Sequence, residues 1–351
     1  MKELLVIMIM SLCLPVCGFS APLLQPGNTA PDAHNLQTPA KIELGKKLFF
    51  DRRLSGDGTM SCATCHDPKQ GFSDGLEISL NYPTTRNWRN SPTLMNVAFQ
   101  EHLFHDGRSA SLEEQALFPM MSAFEMNQNL DFMEEEVRSV PEYVAEFKEV
   151  FGDPDVTRER IAMAIAAFER TLISRDSPLD RFLAGDEKAL SPEALQGYAI
   201  FTGKGKCSDC HLGAKLADDK FHALQVQENP EHLKDPRIAA TRRFVAKVSG
   251  FQEYRTLAED PGRYLVTKDQ KDWKAFRTPS LREISGTAPY MHNGIYASLD
   301  EVIEFFDAGG GKNNTVLKPL QLTAVEKSRL KVFLEEGLTG EKATFTYPKI
   351  P

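Results

Sequence analysis

The sequence is short of cysteine, tryptophan and histidine, with six, two and eight among 351 residues. Cys13 and Cys17 fall in an N-terminal leader pattern. The other four cysteines form two Cys-x-x-Cys pairs, so no thiol is left over for a structural disulfide. A cationic surplus is also missing: the net charge of −8 argues against a nucleic-acid partner and is too mild to name another. There is no long apolar run. Leu4 to Leu14 is too short to span a bilayer; between Met1-Lys2 and Gly18-Phe19-Ser20-Ala21 it reads as a secretory signal peptide over 1–20, cleaved near Ser20. Lipid anchoring at Cys17 is the weaker reading, because Val16 stands where a lipoprotein box needs a small residue. Sustained apolar-polar alternation is absent too, which points to an all-α fold with long loops bearing Gly and Pro.

What is present is Cys62-Ala63-Thr64-Cys65-His66 and Cys207-Ser208-Asp209-Cys210-His211. In such a segment two thiols can add across porphyrin vinyl groups while the next residue turns its imidazole onto the iron, which is covalent c-type haem attachment. A single copy could equally mark a redox or zinc site, and buried or paired thiols are the plain structural alternative. Two copies, with no further Cys or His pair nearby to close a zinc site, favour haem. Two covalently held haems would also stabilise an exported chain that has no disulfides.

The two halves share a lead-in. Thr38-Pro39 and Ser191-Pro192 are helix starts, and each helix carries Gly-x-x-aliphatic-Phe, Gly45 to Phe49 and Gly197 to Phe201, ahead of its cysteines. Further helices are predicted from capping boxes at Ser111/Glu114, Ser298/Glu301 and Thr323/Glu326, and over Pro141 to Phe151 and Arg160 to Ile173. Gly185-Asp186-Glu187-Lys188 reads as a linker. It divides the mature chain into two cytochrome c-like domains, 21–185 and 186–351. Asp67 to Arg89 and Leu212 to Trp273 show little periodicity and read as loops that wrap a cofactor.

These sites, with Leu44 to Asp51, Arg89-Asn90-Ser91-Pro92-Thr93, Asp106-Gly107-Arg108, Glu125-Met126, Thr278 to Arg282 and Thr287 to Gly294, resemble the bacterial di-haem cytochrome c peroxidases and MauG-type enzymes over most of the mature chain. The resemblance implies an N-terminal haem that reacts with hydrogen peroxide and a C-terminal haem that carries electrons. The donor would be a small periplasmic cytochrome c or cupredoxin, or else a partner protein would be the substrate; a homodimer is compatible with this. By motif, His66 and His211 are proximal ligands, Glu125 is the distal acid and base, and Pro119 keeps the distal pocket small. Without the resemblance Glu125 would read as a solvated surface acid. One calcium ion is also implied, held by the Asn90 side chain and the carbonyls of Thr287 and Pro289.

The chain departs from the family pattern in three places. No histidine lies between His66 and His102, where peroxidases of the family place a loop ligand. His105 replaces an inter-haem tryptophan, with distal hydrogen bonding, propionate contact and plain core as competing roles, and Trp88 reads as a packing aromatic. Phe306 stands where the family puts a Met or Tyr ligand of the second haem, leaving Met291 as the nearest motif-borne candidate. His292 is expected to make a structural contact, His222 to meet the second haem's edge, and His102 and His232 to lie on the surface or in loops. The missing loop histidine predicts an open iron at the first site. An electronic spectrum of the oxidised protein should contain a high-spin component, and two bis-ligated low-spin haems would exclude it.

Overall fold

Thr38 begins the first helix as its sequence suggests: its hydroxyl accepts from the Lys41 amide, and Pro39 fills the first turn. The computed structural model describes residues 34–83, 85–341 and 345–351. The leader predicted over 1–20, Cys17 included, lies outside them. Helix α1 covers Pro39–Phe50, followed in the first half by α2 (Leu112–Met121), α3 (Leu130–Arg138), α4 (Pro141–Phe151) and α5 (Arg158–Glu169). Then come α6 (Pro178–Leu183), α7 (Pro192–Thr202), α8 (Pro236–Val248), α9 (Leu299–Asp307) and α10 (Ala324–Val332). The sheet among the described residues is one antiparallel pair of two-residue strands, Phe221–His222 against Phe276–Arg277. The protein is therefore mostly helical. No helix among the described residues is long and apolar enough to cross a membrane.

The internal repeat has a packing cause. A Cβ on Gly45 would stand 1.7 Å from the Ala164 carbonyl oxygen of α5, and one on Gly197 would stand 2.1 Å from the Arg329 carbonyl oxygen of α10. Only glycine lets each pair of helix backbones approach this closely. Phe49 and Phe201, four residues on, are buried in two separate cores, the first with Leu48, Ile161 and Ile165, the second with Ile303, Leu330 and Phe333.

Two sequence predictions are corrected here. The predicted helix Arg160 to Ile173 runs Arg158–Glu169 and closes with the turn in which the Thr171 amide donates to Phe168. The stretch Leu212 to Trp273, read as loop, contains α8, started by Asp235-Pro236 in the manner of α1 and α7. Leu179 and Phe182 of α6 pack in the second core. Arg282 fixes α6 in place by pairing with Asp180 at 2.7 Å. At the other end of the chain, Phe345 returns to the first core, with its ring centroid 5.5 to 6.3 Å from those of Phe50, Phe72 and Phe168.

The halves are joined by a buried cation. Arg89 donates from Nη1 to Asp106 (2.6 Å), and from Nε and Nη2 to the two carboxylate oxygens of Asp260 (2.7 and 2.9 Å). Arg108 adds a second contact to Asp106, and Arg263 Nη1 donates to the Asp106 carbonyl. Gly107 sits between them at φ 71°, where a Cβ would be 2.3 Å from the Phe221 ring, which explains the Asp-Gly-Arg motif. Despite the cost of burial, Arg89 holds both aspartates below the usual carboxylate range. That stability is present above the ordinary aspartate range and is lost as pH falls through the depressed values. Arg89→Leu leaves two buried carboxylates facing each other. It should lower unfolding stability by about 3 to 5 kcal/mol at neutral pH. The deficit should shrink on acidification, as the unpaired carboxyls protonate, and denaturant titrations at several pH values measure both effects.

Candidate peroxide-reacting site

The first Cys-x-x-Cys-His segment is a single helical turn, Cys62–Cys65, entered through Ser61, whose amide donates to Thr64 Oγ1 at 3.0 Å. His66 follows, with its amide on the Cys62 carbonyl and Nδ1 on the Phe72 carbonyl, both at 3.0 Å. The second segment repeats the arrangement, with the His211 amide on Cys207 at 2.9 Å and Nδ1 on the Leu216 carbonyl at 3.0 Å. Phe72 and Leu216 both take left-handed backbone, φ 57° and 51°, an uncommon conformation for a side chain of that size that turns each carbonyl back to its histidine. Nδ1 is thereby engaged, and Nε2 becomes the nitrogen that would meet a metal. Burial lowers the pKa of both imidazoles, which keeps them in the neutral form that ligates. Burial also pushes the thiols of Cys65 and Cys207 up to about 12.

Beside His66 lies a cavity with about 1160 Å³ of empty space, part of it open to solvent. Cys62, Cys65, His66, Asn90, His105, Pro119 and Glu125 all line it, so the fold brings together the residues picked out for the first site. A haem fits these residues. The two thiols and the oriented imidazole share one large hollow, and in its wall Trp88 Nε1 and Glu169 Oε2 are buried without hydrogen-bond partners.

Helix α2 and the turn after it place the distal side chains. Pro119 lies inside α2, and the Met126 amide donates back to its carbonyl at 3.1 Å, folding residues 122–126 onto the helix end. Glu125 is half-buried there, its Oε1 accepting from Asn87 Nδ2 at 3.0 Å and its carbonyl accepting from Tyr82. Burial raises the pKa of its carboxyl, against the lowering pull of the Arg108 charge and the Asn87 hydrogen bond.

His105 Nε2 donates to the Asn90 carbonyl at 2.9 Å, while the His105 carbonyl accepts from Arg277 of the other half. Burial drives its pKa down to about 4, so the ring is neutral at pH 7. Asn90 uses its side-chain nitrogen on the Leu76 carbonyl (2.7 Å) and its amide on the His292 carbonyl (2.8 Å). Thr287 lies against Gly71. The 287–292 loop, with Pro289, is thus brought to the Asn90 segment. Met291 is half-buried in that loop at φ 72°, and Tyr290 beside it packs on the second core together with Cys207.

Among the remaining histidines, His292 stacks on Phe276 at 3.7 Å. His222 approaches Cys210, and its Nε2 donates to the Asp218 carboxylate at 2.8 Å. His102 lies in a loop near Phe221. His232 is a correction: it is buried within the short helix Pro230–Lys234, its Nε2 3.1 Å from Glu77. Trp88 packs with Ile78 and Ile238, edge-on to Phe124. Sequence reasoning passed over Gln115, Arg108 and Glu169 as members of the cavity wall. Gln115 stands one turn before Pro119 on α2, and Glu169 one turn after Ile165 in the apolar stripe of α5, so spacing could have found both.

Two helical cores, each with a Cys-x-x-Cys-His segment and a carbonyl-oriented histidine, define a c-type cytochrome scaffold. Residues 39–188 match the family model for di-haem cytochrome c peroxidase. The chain is 44% identical to cytochrome-c peroxidase IdrP1 of Denitromonas iodatirespirans, over 91% of this chain and 87% of that protein. It is 35% identical to the methylamine utilization protein MauG of Methylorubrum extorquens, over 90% and 83%. Its fold superimposes with a TM-score of 0.75 on a MauG-like protein associated with microbial copper homeostasis, at 28% identity and 95% and 96% coverage. The chain belongs to the di-haem cytochrome c peroxidase family and is an oxidoreductase of that type, a family whose cofactors are two haem c groups.

Proposed function

We propose that the protein reduces hydrogen peroxide at the Cys62 to His66 site, with electrons arriving through the Cys207 to His211 site from a small periplasmic cytochrome c or cupredoxin. The observation that carries this reading is Glu125, a carboxyl of raised proton affinity in the same cavity as His66. Haem held by the paired cysteines and histidines supplies the iron that binds peroxide and accepts electrons. Glu125 takes the proton from one peroxide oxygen and returns it to the other, which leaves as water. Asn87 orients Oε1 for that transfer, and Pro119 narrows the space around it. Arg108 moderates the carboxyl's proton affinity and is itself held by Asp106. His66, with Nδ1 engaged and Nε2 left to ligate, is the proximal histidine of this reading, and the lack of any histidine between His66 and His102 supports an open position opposite it.

At the second site Met291 is the candidate sixth ligand, supported by its loop packing on the core that also holds Cys207. Calcium would be held by Asn90, Thr287 and Pro289; the Asn90 nitrogen is occupied by Leu76, so its oxygen is the end that would face the ion. Two cytochrome c-like domains and an exported, periplasmic protein complete the reading.

A MauG-like alternative, in which the oxidised centre acts on a Trp or Tyr of a partner protein, draws support from the 28% identical MauG-like neighbour. A non-catalytic di-haem carrier or sensor is disfavoured by Glu125. Stopped-flow mixing with peroxide distinguishes them. Rapid return to the resting state with reduced cytochrome supports the peroxidase, a long-lived oxidised state quenched by one specific protein supports the alternative, and no reaction with peroxide supports a carrier. Glu125→Gln should slow the peroxide reaction by about two to four orders of magnitude. Because the carboxylate form takes the proton, the wild-type rate should fall as pH drops through the raised Glu125 value, and the Gln variant should lose that limb.

A further inference from the structure

Glu169 is a carboxyl that none of the preceding chemistry uses. It is the last residue of α5, only 3% exposed, and it lines the cavity together with Cys62 and Gln115. Its Oε2 is buried and has no hydrogen-bond partner. A structural carboxylate at such a depth would be paired, because an unpaired buried charge is costly.

The charged groups around it do not supply that pair. Arg170, next on the chain, directs Nη1 and Nη2 to the two oxygens of Glu113 on α2, at 2.6 and 3.1 Å. Glu113 itself repels a second negative charge. Lys41 of α1 gives its Nζ to Asn35 and the Leu36 carbonyl. The Cys62 thiol is consumed once it forms a thioether. Burial, opposed by Arg170 and aided by Glu113, pushes the Glu169 carboxyl up to about 8. It therefore holds its proton at neutral pH and sits close to the point of losing it.

We propose that Glu169 couples proton uptake to reduction at this site, its carboxylate capturing one proton when the haem held beside it accepts one electron. This rests on the reading that Cys62, Cys65 and His66 hold a haem. The electron comes from the donor, or in a test from a chemical reductant; the proton comes from solvent and forms the O–H bond on Oε2. The physical reason is charge: one more electron in a poorly screened cavity disfavours a carboxylate there and favours the neutral acid. Where the carboxyl is ionised in the oxidised protein, at alkaline pH, coupling of this kind keeps the net charge of the cavity constant as the electron enters.

The test is a potentiometric titration of the first haem from neutral to alkaline pH in the covalently loaded wild type and Glu169→Gln. Protein mass establishes loading first. In the wild type the midpoint potential should be level at the acid end and fall with rising pH through about pH 8, and in Glu169→Gln that fall should be lost. Redox-difference infrared spectra at alkaline pH should show a protonated carboxyl gained on reduction in the wild type and missing in the variant. An identical fall and an identical carboxyl band in both proteins overturn the proposal. Absence of covalent haem by mass would overturn the haem reading instead. If Glu169→Gln does not fold, Glu169→Asp keeps a carboxyl one methylene shorter: the pH at which the potential breaks must then move, and an unmoved break overturns the proposal.

Discussion

The guanidinium of Arg89, buried between Asp106 and Asp260, joins the two halves of the molecule. Its three donor atoms satisfy both carboxylates, so that charges which would each be expensive to bury become a tie between the segments that carry them. The next residue is Asn90, which accepts from His105 and donates to His292, so the same segment that joins the halves also forms part of the cavity wall. A change at Arg89 is thus felt at the first site, through the backbone to Asn90 and through Asp106 to Arg108.

On either side of this tie the chain uses one construction twice. A glycine brings two helices into close contact, a phenylalanine four residues later fills the core, and a left-handed residue turns its carbonyl onto the histidine of the Cys-x-x-Cys-His segment. The first copy gains α2 with Pro119 and a turn ending in Glu125, while the C-terminal tail folds back through Phe345 against Phe72, whose carbonyl orients His66. The asymmetry on which a peroxide-reacting enzyme depends is added by elements that flank the repeat.

Much of this was legible in the chain. Cys-x-x-Cys-His is a covalent spacing requirement and survives any context, and caps such as Thr38 and Ser191 act over three or four residues, so both were readable without tertiary information. Helix α8 was missed because its stripe is interrupted by Arg242, which is buried against Glu228, a charge no periodicity marks as interior. His232 read as exposed for the same reason, since its partner Glu77 is 155 positions away.

The sequence by itself determined the helical class, the two attachment segments and the repeat that carries them, because these depend on contacts between near neighbours and on the chemistry of single residues. Only the tertiary structure decided that Glu125, Arg108, Gln115 and Glu169 share one cavity, that His105 is neutral and bonded to Asn90, and that Arg89 closes across the two halves. Those facts depend on which distant segments exclude water from one another, and desolvation is a property of the packed chain that no local pattern encodes.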